Sequence, residues 1–138
     1  MRVVADTNIV ISGLLWRGNP RRILDAARDG IIDLFTSEIL LTELREVLTR
    51  PKFERTLRLA GADPKLLASD YASLATVIRP TIIVPMLRDA DDDHVIACAI
   101  AAEADRIVSG DGDVLELAIF EGIKIVDAVQ LVNELRLP

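Results

Sequence analysis

A chain of 138 residues, 51% apolar but only 4% aromatic, is expected to form one domain around an aliphatic core. Its net charge of −6, from 16 Lys and Arg against 22 Asp and Glu, argues against a nonspecific nucleic-acid coat, and its single cysteine excludes an internal disulfide. The uncharged run IVISGLLW is too short to span a bilayer, and residues 1–15 lack the basic-then-apolar layout of a secretion signal, so a cytoplasmic protein without membrane association is expected.

In chain order, short β-branched runs alternate with helical patterns. RVVA (2–5) is the first strand candidate, and Asn19 with Pro20 reads as the cap and first residue of a following helix. DLFT (33–36) is the second, with Ser37 placed to cap EILLTELREVLT. The basic stretch RPKFERTLRLAG adds a helical segment before Asp63 and Pro64 open another helix. TIIV (81–84), RIVS (106–109) and KIVD (124–127) complete the strands, and Asp127 can cap the final AVQLVNELR. Repeated βα units of this kind predict a three-layer α/β/α sandwich, a single domain over residues 1–138 with a central parallel sheet of about five strands in order 3-2-1-4-5.

Charge is unevenly placed on this frame. Residues 89–113 hold eight acids (Asp89, Asp91, Asp92, Asp93, Glu103, Asp105, Asp111 and Asp113) against one base, Arg106. Residues 45–65 hold six bases (Arg45, Arg50, Lys52, Arg55, Arg58 and Lys65) against three acids. In open parallel sheets, sites form at the carboxyl ends of the strands. Asp6 directly follows the first strand, and Asp111 follows the fourth. Asp92 begins the helix after the third strand, and Glu43 lies in the second turn of the helix after DLFT. Four carboxylates from four βα units are thus expected on one rim, where their mutual repulsion calls for a cation.

Among the clustered aspartates, Asp92 has apolar Ile96 and Ala99 at i+4 and i+7, which places it at the head of a seam packed on the sheet. Asp89 and Asp91 fall before the first clear turn and suit helix capping, and Asp93 points off the seam, the alternative if the frame shifts by one. Taken singly, each acid also has a plain structural reading as a turn, a cap or a surface ion pair. His94 and Cys98 stand at i, i+4 spacing, but the chain has no other His or Cys to complete a zinc site. An all-oxygen set selects a hard ion, Mg²⁺ or Mn²⁺.

The stretches VVADTNIVISGLL (3–15), TSEILLTELREVLTRPKF (36–53), RDADDDHVIACAIAAEADRIVSGDGDVLEL (88–117) and KIVDA resemble the PIN-domain nucleases, in particular the VapC-like toxins of toxin-antitoxin pairs. The resemblance covers nearly the whole chain. It implies an acidic quartet at Asp6, Glu43, Asp92 and Asp111, with Asp113 an auxiliary acid, Asn8 steadying the site through hydrogen bonds, and Ser109 supplying a hydroxyl. It also implies divalent metal, cleavage of single-stranded RNA, an antitoxin partner and a homodimer. Ala90 stands where a proline is frequent in this branch, so the frame at Asp92 and Asp93 is the weakest correspondence.

In such a site the metal activates water for phosphodiester hydrolysis, and no covalent nucleophile is required. Arg50, Lys52, Arg55 and Arg58 are candidates to hold the RNA backbone, with a solvated helix or a dock for an acidic partner as alternatives. Trp16 beside Arg17 is a possible stacking residue, although core or dimer packing is the first expectation. Three other functions compete. A catalytically silent metal- or RNA-binding module would keep the same rim. A haloacid-dehalogenase-type phosphatase would want a second acid two positions after Asp6, where Asn8 stands. A signalling receiver would want a Lys near the last strand, which Lys124 instead begins.

Overall fold

The computed structural model describes residues 1–80 and 90–137, with side chains from residue 93 onward in the second segment. In chain order the elements are β1 (Arg2–Ala5), α1 (Thr7–Leu15), α2 (Asn19–Arg28), β2 (Asp33–Ser37), α3 (Glu38–Leu48), α4 (Pro51–Ala60), α5 (Pro64–Leu74) and β3 (Thr76–Ile78). They continue as α6 (Ala90–Ala101), β4 (Arg106–Val108), α7 (Gly112–Glu116), β5 (Ile119–Phe120), β6 (Ile123–Val126) and α8 (Ala128–Leu135).

The strands form one sheet in the order β3-β2-β1-β4-β6-β5, parallel except where β5 pairs antiparallel with β6. Alternation along the strands divides the core into two layers, because successive side chains face opposite sides. Val3, Ala5, Leu34 and Val108 pack with α1, α2, α3 and α8, whereas Val4, Phe35, Ile107 and Ile125 pack with α6. Burying each such aliphatic side chain contributes about 1.5–3 kcal/mol, which is why short strands of four or five residues suffice here.

Three helix starts agree with the sequence reading: Ser37 accepts from the Leu40 N–H, Asp63 from Lys65 and Asp127 from Gln130. Gln130 returns a bond to the Asp127 N–H, completing a capping box. Four expectations change. The cap of α2 is Gly18, not Asn19, and it makes no side-chain bond. TIIV lies outside the described residues, and the strand beside β2 is Thr76–Ile78. The sheet gains a sixth strand, the two-residue β5, which turns back to β6 through Glu121 and Gly122, both at positive φ as a tight hairpin requires.

The fourth change concerns α6. Asp93 does not point off a seam: it is 4% exposed, and Val95 through Ala99 are all buried. The small side chains of Ala97, Cys98 and Ala99 let β1, β2, β4 and α3 close on this helix from several sides, so it has no single packed stripe.

The direction in which strands are added to the sheet reverses between β1 and β4, which run parallel. From β1 the chain steps outward to β2 and β3, then returns to the other side of β1 to lay down β4. Helices of the two crossovers lie on opposite faces there, the arrangement in which open parallel sheets form a crevice at the carboxyl ends of the two strands.

Candidate functional site

Asp6 and the Ser109–Gly110–Asp111 segment occupy that crevice, one at the exit of β1 and the other at the exit of β4. Asp6 is 5% exposed and caps α1, its Oδ1 accepting from the Ile9 N–H at 2.9 Å. Its Oδ2 accepts from the Ser109 hydroxyl in a short hydrogen bond and from the Gly110 N–H at 3.3 Å. The Asp6 N–H donates to Val108 and the Ser109 N–H to Val126, so the sheet ladder itself fixes both backbones.

Ser109, fully buried, joins the two strand exits through one hydroxyl. Its Oγ donates to Asp6 and accepts from the Asp111 N–H at 3.0 Å. Asp111 in turn caps α7, accepting from the Asp113 and Val114 N–H groups at 2.8 and 3.4 Å. Burial raises the Asp6 pKa above its ordinary value; hydrogen bonds from Ser109, Ile9 and Gly110 oppose the rise, and the Asp111 carboxylate adds to it. Among the described residues no basic side chain pairs with Asp6 or Asp111. A buried carboxylate next to a second one is an all-oxygen donor set suited to a hard divalent ion.

The other expected acids are less closely gathered. Glu43 is half-buried in the second turn of α3, which packs against α1 and α6. Asp113 is half-buried in α7, and Asp93 lies in the first turns of α6. The side chains of Asp91 and Asp92, and all of Asp89, lie outside the described residues. Among the described residues no three His, Cys, Asp or Glu side chains come close enough to hold one ion, so the unit drawn together is Asp6, Ser109 and Asp111. Asn8 is exposed on the first turn of α1. Cys98 is buried and its thiol is pushed up to about 12 by desolvation, which fits a core residue better than a metal ligand.

Arg50, Lys52, Arg55 and Arg58 are exposed along α4 and its entry. Arg50 reaches Glu46 at 3.6 Å, and the Lys52 ammonium lies 5.0 Å from the Phe53 ring centroid. Trp16 is not a core residue: it is 45% exposed, because it caps the end of α1 where the chain leaves the layer.

One buried polar residue escaped the sequence reading. Tyr71 on α5 is buried, and among the described residues its hydroxyl has no hydrogen-bond partner. Burial raises its pKa, and electrostatic interaction with Cys98 and Asp6 raises it further. A lone tyrosine in a mixed helical pattern carries no signal for this placement.

The chain matches the family model described as PIN domain over residues 2–113, a span that includes every candidate site acid. No curated protein matches it in sequence. Among solved structures it is similar to a chain in the crystal structure of VapBC2 from Rickettsia felis bound to a DNA fragment from their promoter, with a TM-score of 0.61 and 15% identity over 92% of this chain and 98% of that one. At that identity the likeness concerns the fold. Among the described residues no helix is long and apolar enough to cross a membrane.

Proposed function

The chain belongs to the PIN-domain family, and from that premise we propose that it is a divalent-metal-dependent ribonuclease that hydrolyses phosphodiester bonds of single-stranded RNA. The observation that carries this reading is the Asp6–Ser109–Asp111 unit at the β1/β4 switch point, two adjoining carboxylates with no basic partner among the described residues. In this reading the protein is cytoplasmic and is the toxin of a toxin-antitoxin pair. It would be held in check by a cognate antitoxin and assembled as a homodimer. The fold it shares with a chain of the VapBC2 assembly supports that part.

Asp6, Asp111, Glu43 and an acid of α6 would hold Mg²⁺ or Mn²⁺, with Asp113 at the margin. When bound, the ion supplies positive charge opposite the phosphodiester and acidity for the attacking water. Ser109 keeps the Asp6 carboxylate in one orientation and ties it to the Asp111 turn. Glu43, on the neighbouring helix α3, would orient the attacking water or add a ligand. For the α6 acid, burial favours Asp93, and Asp92 is the alternative that substitution must separate.

Two competing functions lose ground on observations of this fold. Lys124 sits at the amino end of β6, in register with Arg106, at the opposite sheet edge from Asp111, so it cannot act as a receiver's conserved cation. Asn8, the position where a phosphatase of the dehalogenase type would want an acid, faces solvent. A silent binding module keeps the same rim and is separated only by turnover. Purified protein is expected to cleave a pool of cellular RNAs with Mn²⁺, and Asp6→Asn to abolish the cleavage; equal cleavage by the variant would sink the assignment. Expression is expected to arrest growth, with relief by the neighbouring small antitoxin gene. Harmless expression of a proven nuclease would point to RNA processing instead.

A further inference from the structure

The half-exposed indole of Trp16 stands out among the side chains the carboxylate site does not use. It ends α1, the helix that Asp6 begins, so the two residues are ten positions apart, about 15 Å along the helix axis. The indole is braced on one side by Phe53, at a centroid distance of 6.2 Å and a 47° tilt. Phe53 is only 7% exposed and is anchored in the core, so it holds Trp16 in place without offering a ring of its own. Exposed Arg17 follows the indole directly, and Lys52 lies over the Phe53 ring at 5.0 Å. Arg50 pairs with exposed Glu46 at 3.6 Å, a solvent-screened contact that a phosphate can displace.

Two helices run from the carboxylates to this corner. α1 follows β1 and α3 follows β2, which are parallel and adjacent, so both helices start at the carboxyl edge and pack side by side. α1 ends at Trp16, and α3 leads through Thr49 and Arg50 into α4 with Lys52 and Phe53. At this corner an extended polyanion would find exposed cations beside a half-exposed aromatic face. Those are the two elements by which single strands are held without reading their sequence.

Resting on the nuclease reading above, we propose that Trp16, braced by Phe53 and rimmed by Arg17 and Lys52, is a stacking platform for one base of the single-stranded RNA whose backbone reaches Asp6 and Asp111. A half-exposed indole with cations beside it fits a nucleobase on a charged backbone, whereas a protein partner of stable affinity would want a broad apolar surface. The platform holds the strand a few nucleotides from the point of cleavage and favours unpaired over duplex RNA, since a paired base cannot offer its face.

Trp16 is the only tryptophan in the chain, so its emission reports the platform directly. The test uses full-length Asp6→Asn protein, titrated in Mg²⁺ buffer with a short fluorescently labelled oligouridylate and with an abasic oligomer of the same length and charge. With the unlabelled strands, the oligouridylate is expected to quench Trp16 emission and the abasic strand to leave it unchanged. By anisotropy, adding Trp16→Ala should weaken oligouridylate binding about 5- to 100-fold, the range of one lost stacking contact. Trp16→Phe should recover part of that loss, and neither change should alter abasic affinity. Undiminished oligouridylate binding by Trp16→Ala, without quenching in the parent, overturns the proposal while leaving the nuclease reading intact. So does an emission change that follows protein concentration alone, which would assign the indole to a contact between copies. If wild-type protein neither cleaves RNA nor binds either strand, the nuclease reading itself falls.

Discussion

Removing the Ser109 hydroxyl tests the centre of the site with a single atom. Its Oγ makes two hydrogen bonds, a buried one donated to the Asp6 carboxylate and a partly buried one accepted from the Asp111 N–H. The first, to an ionisable partner, contributes about 1.5–3 kcal/mol, and the second about 0.5–1.5 kcal/mol. No water can replace them in a fully buried position without rearrangement. Ser109→Ala is therefore expected to cost about 2–4 kcal/mol, or roughly 6–16 °C in Tm for a domain of this size. The measurement is thermal unfolding of the metal-free protein by circular dichroism, paired with RNA cleavage in Mn²⁺. Ser109→Thr, which keeps the hydroxyl, should retain cleavage even if its methyl lowers Tm. A Ser109→Ala protein that melts within about 1 °C of wild type and cleaves normally would refute the bridging role.

Other expectations follow from the same geometry. Burial holds the Asp6 pKa in the folded protein above its unfolded value, so the stability tied to its protonated form is complete below the unfolded value and is lost as pH rises through the folded one. The metal-free wild type should thus lose urea resistance over that window relative to Asp6→Asn, and millimolar Mn²⁺ should restore it in the wild type alone; parallel pH curves for the two proteins would contradict this. Tyr71→Phe removes a buried hydroxyl without a partner and should leave stability unchanged or raise it by up to about 1 kcal/mol, whereas a comparable loss on denaturation would mean the hydroxyl is bonded. Asp93→Asn should reduce Mn²⁺-dependent cleavage at least a hundredfold, and Asp92→Asn much less. The reverse order would return the role to Asp92.

Much of the frame was legible because it rests on local chemistry. β-branched runs at 2–5, 33–36 and 106–109 became β1, β2 and β4, and the capping side chains of Ser37, Asp63 and Asp127 stand where their helix starts require. Knowing that strand exits gather residues was enough to pair Asp6 with Asp111. What stayed hidden depends on tertiary packing. A two-residue strand such as β5 has no alternation to read, and its pairing comes from a hairpin turn at two positive-φ residues. The face of α6 was misjudged because a helix of small residues is enclosed on several sides, which removes the periodicity that would locate Asp93. Trp16, expected in core or dimer packing, is not in the core of the chain, where its neighbour Phe53 is buried instead. The burial of Tyr71 on α5 likewise comes from tertiary packing that no spacing rule encodes.

The most direct test of the central claim is Mn²⁺-dependent cleavage of single-stranded RNA by wild type and by Asp6→Asn, prepared side by side and both shown to be folded. The carboxylate site predicts cleavage by the wild type that disappears with chelator and is absent from the variant. Cleavage that survives both the chelator and the substitution would contradict it.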